Sequence, residues 1–159
     1  MIGAIFDIIA YIDTAKQAAP FCWTACGNRG VKHMIRVLIA EDDPQCFQQM
    51  EQFIQDYSGE TGRAFQITHY DNGEDLVERY QPEFDLLLLD VDMPFVDGMT
   101  AAGHIRKIDP EVVIVFVTNL AQYAIQGYSV NALDYILKPL NYFSFSQRLT
   151  RCLRYVKKR

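Results

Sequence analysis

From Met34 onward the chain alternates short runs of leucine or β-branched residues with longer amphipathic stretches. This alternation constrains its fold more than any other feature of its 159 residues. The runs are Arg36 to Ala40, Phe65 to Tyr70, Phe84 to Leu89, Val112 to Val117 and Ala132 to Leu137. Runs so short and so rich in leucine and β-branched residues, alternating with amphipathic stretches, predict strands of a parallel sheet covered on both faces. The stretches between them predict helices. The first has Asp43 as N-cap and Pro44 at the first helical position, and then Phe47, Met50, Ile54 and Tyr57 form one buried stripe at spacings of three and four. The others run from Asn72 to Tyr80, Gly98 to Lys107, Leu120 to Gly127 and Tyr142 to Val156, the last with Tyr142, Phe145, Leu149, Cys152 and Val156 on one face. Such a series of crossovers predicts a doubly wound, three-layer α/β domain on a five-stranded parallel sheet.

Residues 1 to 33 do not join this repeat, and the expected division is an N-terminal extension over 1–33 followed by the domain over 34–159. Ile5, Phe6, Ile8, Ile9 and Ile12 would share one face of a short helix, but the extension reads as a poorly ordered appendage dispensable to the fold. Cys22, Cys26 and His33 invite a zinc reading, which fails for want of a fourth ligand at a recognised spacing. Four cysteines scattered through a chain able to build its own core do not make a disulfide framework and fit a reducing cytoplasm. No apolar stretch approaches the roughly 20 residues needed to cross a bilayer, so no membrane partner is expected. The net charge of −5 hides an asymmetry. Asn141 to Arg159 carries six basic residues and no acid, leaving the body before it with 9 basic and 20 acidic groups. That acidic body disfavours nucleic acid as its partner, and the basic end is read as complementing the C-terminal dipole of the last helix.

The informative feature is where charged and polar residues interrupt the apolar runs. Glu41 and Asp42 end the first, Asp90 the third, Thr118 the fourth and Lys138 the fifth. All of these are carboxyl ends of strands, and in an open parallel sheet those ends lie along one edge, where ligands bind. Singly, each has a plainer reading: Asp90 as a turn former, Thr118 as a helix cap, Lys138 as a loop lysine. Jointly they describe a site. Three carboxylates brought together repel one another unless a cation compensates, and an all-oxygen set without His or Cys selects a hard divalent ion such as Mg²⁺. Glu41, Asp42 and Asp90 are therefore the expected ligands. With the ion seated, a spare Asp90 oxygen is placed to attack a phosphoryl group and form an aspartyl-phosphate. Lys138 and the hydroxyl of Thr118 would then meet the transferring oxygens.

These residues resemble those of a known family, the receiver domain of two-component response regulators, over about Ile35 to Val156. The resemblance rests on VLIAEDDP, LLLLDVDMPFVDG, VIVFVTN and ALDYILKPL in family order and spacing. It implies a flavodoxin-like sheet of strand order 2-1-3-4-5, Asp90 as phosphoacceptor and Glu41 and Asp42 as metal-site acids. It also implies that Asp92 gives its backbone carbonyl to Mg²⁺, that Thr118 and Lys138 contact the phosphoryl oxygens, and that Lys138–Pro139 is a cis peptide. Tyr135 falls where receivers carry an aromatic switch coupled to Thr118. The wording YAIQGYSVNALDYILKP resembles the LytTR (LytR/AlgR) class, whose members add a DNA-binding domain after the receiver. Here the sequence stops at Arg159, so DNA contact is expected only through a domain that it does not contain.

The same resemblance supplies the expected function. A sensor histidine kinase donates the phosphoryl group to Asp90, and the protein catalyses only its own phosphorylation and slow dephosphorylation, not the turnover of a separate substrate. The switch would remodel the surface of the fourth and fifth strands and their helices, through which receivers pair as homodimers; Tyr123, Tyr128 and Tyr142 are the candidate contacts. Two rivals belong to other classes. A haloacid dehalogenase-type phosphatase shares the order Asp90-Val91-Asp92, Thr118, Lys138, but carries its other acids after the lysine. A phosphorylation-independent binding module would not need Glu41, Asp42, Thr118 and Lys138 intact.

Overall fold

A computed structural model of the chain describes residues 33–119 and 129–156. The extension before His33, the helix expected over Leu120–Gly127 with Tyr123 and Tyr128, and the last three residues lie outside that description.

Five strands, β1 (Ile35–Ala40), β2 (Phe65–Tyr70), β3 (Leu86–Leu89), β4 (Val113–Thr118) and β5 (Asp134–Leu137), form one sheet of order β2-β1-β3-β4-β5. Every pairing is parallel. Strand parity divides the core in two. Val37, Ile39, Leu86, Leu88, Val115 and Val117 point to one face, beneath α1 (Pro44–Thr61) and α4 (Tyr142–Cys152). Leu38, Ala40, Leu87, Leu89, Ile114 and Phe116 point to the other, beneath α2 (Gly73–Arg79) and α3 (Gly98–Ile108). Both faces of the central strands are thus removed from water, which is why their sequences read as unbroken apolar runs rather than alternating ones. This is the doubly wound, flavodoxin-like receiver architecture expected from the sequence.

The helices begin as their residues dictate. Asp43 caps α1 by accepting from Gln45 N, with Pro44 following, and Met50, Ile54 and Tyr57 are buried. Asn72, Asp97 and Asn141 cap α2, α3 and α4 in the same way.

Three boundaries differ from the sequence expectation by two residues or more. The third strand starts at Leu86 rather than Phe84, because the buried Asp85 side chain accepts the N–H of Arg36 at 2.8 Å and so competes with the main-chain ladder. The fifth starts at Asp134 rather than Ala132, following Asn131 in left-handed backbone. The last helix ends at Cys152 rather than Val156: Arg154 N and Tyr155 N bond to Arg151 O and Cys152 O, tightening the chain into turns of three.

Candidate functional site

Each residue singled out at a strand end sits at the carboxyl edge of the sheet. Glu41 and Asp42 leave β1, Asp90 leaves β3, Thr118 is the last residue of β4 and Lys138 follows β5. Backbone bonds hold the turns: Glu41 N donates to Tyr70 O at 3.0 Å, Asp90 N to Ala40 O at 2.9 Å, and Lys138 N to Thr118 O at 3.0 Å. Gly98, at the start of α3, is pressed against the acid-bearing turn. A Cβ there would lie 1.9 Å from Asp90 O, so only glycine lets the helix approach so closely.

The acids converge. Glu41, Asp42 and Asp90 each offer an oxygen, all within 4.8 Å of one another. Lys138 Nζ reaches into the group, donating to Asp90 Oδ2 at 2.7 Å and to Glu41 Oε1 at 2.8 Å. It also lies 2.8 Å from Glu41 Oε2, so both oxygens of this buried carboxylate face the ammonium. The other Asp90 oxygen accepts from Asp92 N at 3.2 Å. Burial pushes the Glu41 carboxyl above its ordinary range, and its hydrogen bonds from Lys138 and Cys46 only partly offset this. Burial alone would lower the Lys138 ammonium, yet the hydrogen bonds and charges of Asp90 and Glu41 carry it well above an ordinary lysine. The Cys46 thiol, buried and bonded to Glu41, is pushed up to about 12.

The chemistry of this donor set fits a divalent cation. Three carboxylates converge, only two of them meet the single ammonium, and the ligand atoms are all oxygens. The group opens into a pocket of about 550 Å³, which Asp92, Gln45, Gln49, Asn119, Pro139 and Leu140 help to line. The peptide between Lys138 and Pro139 is cis.

Thr118 and Tyr135 are placed differently. The Thr118 side chain is fully buried at the end of β4, and Asn119 lines the open pocket beside it. Tyr135 is half-buried on β5, its ring 6.0 Å from that of Phe116 on the face covered by α2 and α3. Sequence reasoning missed Cys46, Gln49 and Leu140. The first two lie on the α1 face turned to the pocket, Cys46 within the first turn after the Asp43 cap and Gln49 in the second, and Gln49 Nε2 donates to Leu140 O at 3.3 Å.

An open parallel sheet with three acids and a lysine gathered at its carboxyl edge defines a doubly wound α/β domain whose candidate site lies at the strand ends. The response regulator receiver domain family matches residues 37–150, and the chain belongs to that family. The receiver protein CpdR of Brucella abortus is 40% identical over 93 residues, covering 58% of this chain and 72% of CpdR. The transcriptional regulatory protein BtsR of Escherichia coli is 34% identical over 125 residues, covering 74% of this chain and 48% of BtsR. The sensory transduction protein LytT of Bacillus subtilis is 30% identical over 119 residues, again 74% of this chain and 48% of LytT. BtsR and LytT are regulators of the LytTR class, and the chain spans about half the length of each.

Among solved structures, the response regulator TrrA of Thermotoga maritima in complex with Mg²⁺ and BeF superimposes with a TM-score of 0.64 at 24% identity, covering 75% of this chain and 99% of TrrA. The non-phosphorylated HemR receiver domain of Leptospira biflexa gives 0.66 at 24% identity, covering 79% and 97%. These likenesses carry the fold. Receiver domains of two-component systems are signalling proteins that accept phosphoryl groups from histidine kinases and bind Mg²⁺ at an acidic pocket. No helix among the described residues is long and apolar enough to cross a membrane.

Proposed function

We propose that this chain is the phosphoacceptor of a two-component relay, taking a phosphoryl group from a sensor histidine kinase onto Asp90. The observation that carries this reading is the convergence of Glu41, Asp42 and Asp90 within 4.8 Å of one another, with the Lys138 ammonium against Glu41 and Asp90. Glu41, Asp42, Asp90 and the backbone carbonyl of Asp92 would hold Mg²⁺. When bound, the ion neutralises charge on the transferring phosphoryl oxygens.

An Asp90 carboxylate oxygen attacks phosphorus; the new P–O bond forms as the P–N bond to the donor imidazole breaks, and the imidazole leaves with a proton from solvent. Lys138, held by two acids before the reaction, exchanges one carboxylate partner for the arriving anion, so a positive charge is in place without further movement of the loop. Later attack by water on phosphorus returns the Asp90 carboxylate and releases phosphate. In the phosphorylated state the Thr118 hydroxyl turns to the phosphoryl oxygens, and Tyr135 repacks into the space left, shifting the population of two surface arrangements around β4, β5 and α4. That surface is the proposed homodimer contact, but Tyr142 does not belong to it: its ring packs edge-on against Phe53 of α1, with centroids 5.5 Å apart, and lies against the core. The receiver unit is taken as 34–159, with residues 1–33 an appendage, and any DNA contact would be made only through a separate domain of the LytTR kind.

Incubation with acetyl phosphate and Mg²⁺, followed by intact mass and phosphate release, tests this reading. One labile phosphoryl group should appear, and chelation or Asp90→Asn should abolish it. Rapid multiple turnover would instead mark a phosphatase, and an unmodified protein a binding module.

A further inference from the structure

The β1–β2 ladder ends beside the acids, and its last carbonyl is satisfied by a side chain. Ile39 is in register with His69 and Ala40 with Tyr70, and Glu41 N still donates to Tyr70 O at 3.0 Å. Continuing the parallel pattern, the N–H of Asn72 would meet Glu41 O. Asn72 instead turns away to cap α2, its Oδ1 accepting from Asp75 N at 2.7 Å. Among the described residues no backbone N–H takes its place at Glu41 O. The imidazole of His69 does, its Nε2 lying 2.9 Å from that oxygen. A carbonyl can only accept, so Nε2 carries the proton. The other side of this contact is also fixed. Phe47, in the first turn of α1, stacks on the His69 ring at a centroid distance of 3.8 Å and an interplanar angle of 14°.

From this geometry we infer that His69 is a positioning residue for the cation pocket, holding the Glu41 main chain so that Glu41 and Asp42 face Asp90. The inference rests on reading the pocket as a Mg²⁺ site. His69 joins three elements at the turn that carries two of the three acids: β2 through its own backbone, the exit of β1 through Glu41 O, and α1 through Phe47. Its ring touches none of the ligand oxygens and acts through the backbone alone. Without it, Glu41 O turns to water and the acid-bearing turn samples positions in which its two carboxylates no longer meet Asp90. Outer-shell partners of metal ligands commonly change affinity about 10–100-fold, and a bond to the ligand's backbone rather than its carboxylate belongs at the lower end.

Titration calorimetry of the full chain with MgCl₂, paired with thermal melts in EDTA, tests this. His69→Ala should raise the Mg²⁺ dissociation constant about tenfold, and His69→Gln, which restores an N–H donor, should recover most of the loss. Acetyl phosphate labelling should need correspondingly more Mg²⁺ while reaching the same rate at saturation. A residue that only stabilised the fold would lower the EDTA melting temperature and leave the dissociation constant unchanged; that result overturns the inference. Should the alanine variant not fold, His69→Leu keeps packing against Phe47 and loses the donor, and it must weaken Mg²⁺ to the same degree. Failure of the wild-type chain itself to bind Mg²⁺ would overturn the pocket reading, and this inference with it.

Discussion

Phe95 sets its backbone against its side chain. It stands five residues beyond Asp90, with φ of 67° and 83% of its surface exposed. Left-handed backbone costs a bulky residue about 1–2 kcal/mol, and an exposed ring recovers almost none of it by burial. Glycine removes the strain but adds about 0.5–1 kcal/mol of unfolded-state entropy. The strain wins: Phe95→Gly should stabilise the domain by about 0.5–1 kcal/mol, read as a higher urea midpoint at unchanged m-value. An equal or lower midpoint would show that the ring makes contacts worth more than its strain.

At the same scale, sequence and structure differ in what they disclose. Glu41, Asp90 and Lys138 were legible because a charge ending an apolar run is conspicuous. His69 was not, because its role follows from Asn72 leaving the ladder, which only the three-dimensional path reveals. Asp85 was hidden likewise, its carboxylate spent on a strand 49 residues away.

Elements are fixed by their ends. Asp97 caps α3, Oδ1 accepting from Thr100 N at 2.9 Å and Oδ2 from the Thr100 hydroxyl at 2.7 Å. Partial burial opposes its ionisation, but these hydrogen bonds prevail and hold its carboxyl below the ordinary value of 3.8. A depressed carboxyl contributes stability that is complete above 3.8 and is lost as pH falls through the lower folded-state value. Asp97→Ala should therefore cost about 1 kcal/mol near neutrality, and the gap between wild type and variant should close on acidification below that value. Denaturant melts across pH check this, and a gap that widened in acid would contradict it.

The opposite end of α3 is tied by Arg106. Its guanidinium donates to Pro110 O, Val112 O and Val130 O at 2.9, 2.8 and 2.9 Å, and more weakly to Asp109 O and Asn131 O, both at 3.3 Å. One side chain thus joins α3, the entry to β4 and the entry to β5. Lysine has neither the fork nor the reach to replace it. Arg106→Lys should cost about 2 kcal/mol or more, measured by urea unfolding, since several half-buried carbonyls lose their donor together. The strand and helix cores were readable from periodicity alone, as Met50, Ile54 and Tyr57 show. The ends of β3, β5 and α4 were not, because side-chain bonds at Asp85, the left-handed Asn131 and a tightening last turn decide them.

The whole molecule places a repulsive cluster on a rigid frame. Two cores, one on each face of the sheet, hold the strand ends that carry Glu41, Asp90 and Lys138. A cation that binds only the folded chain should then stabilise it by mass action, about 2.7 kcal/mol at a hundredfold excess over its dissociation constant. Melting temperature should rise with MgCl₂ and hardly at all in Asp90→Asn; equal rises in both would place the ion elsewhere. The central claim is narrower: the phosphoryl group becomes attached to one aspartate among several neighbouring acids. Borohydride reduction after labelling converts a phosphorylated aspartate to homoserine, and peptide mapping then locates it. Homoserine at position 90 alone is the predicted result, and homoserine at 42 or 92, or none in the labelled protein, would contradict it.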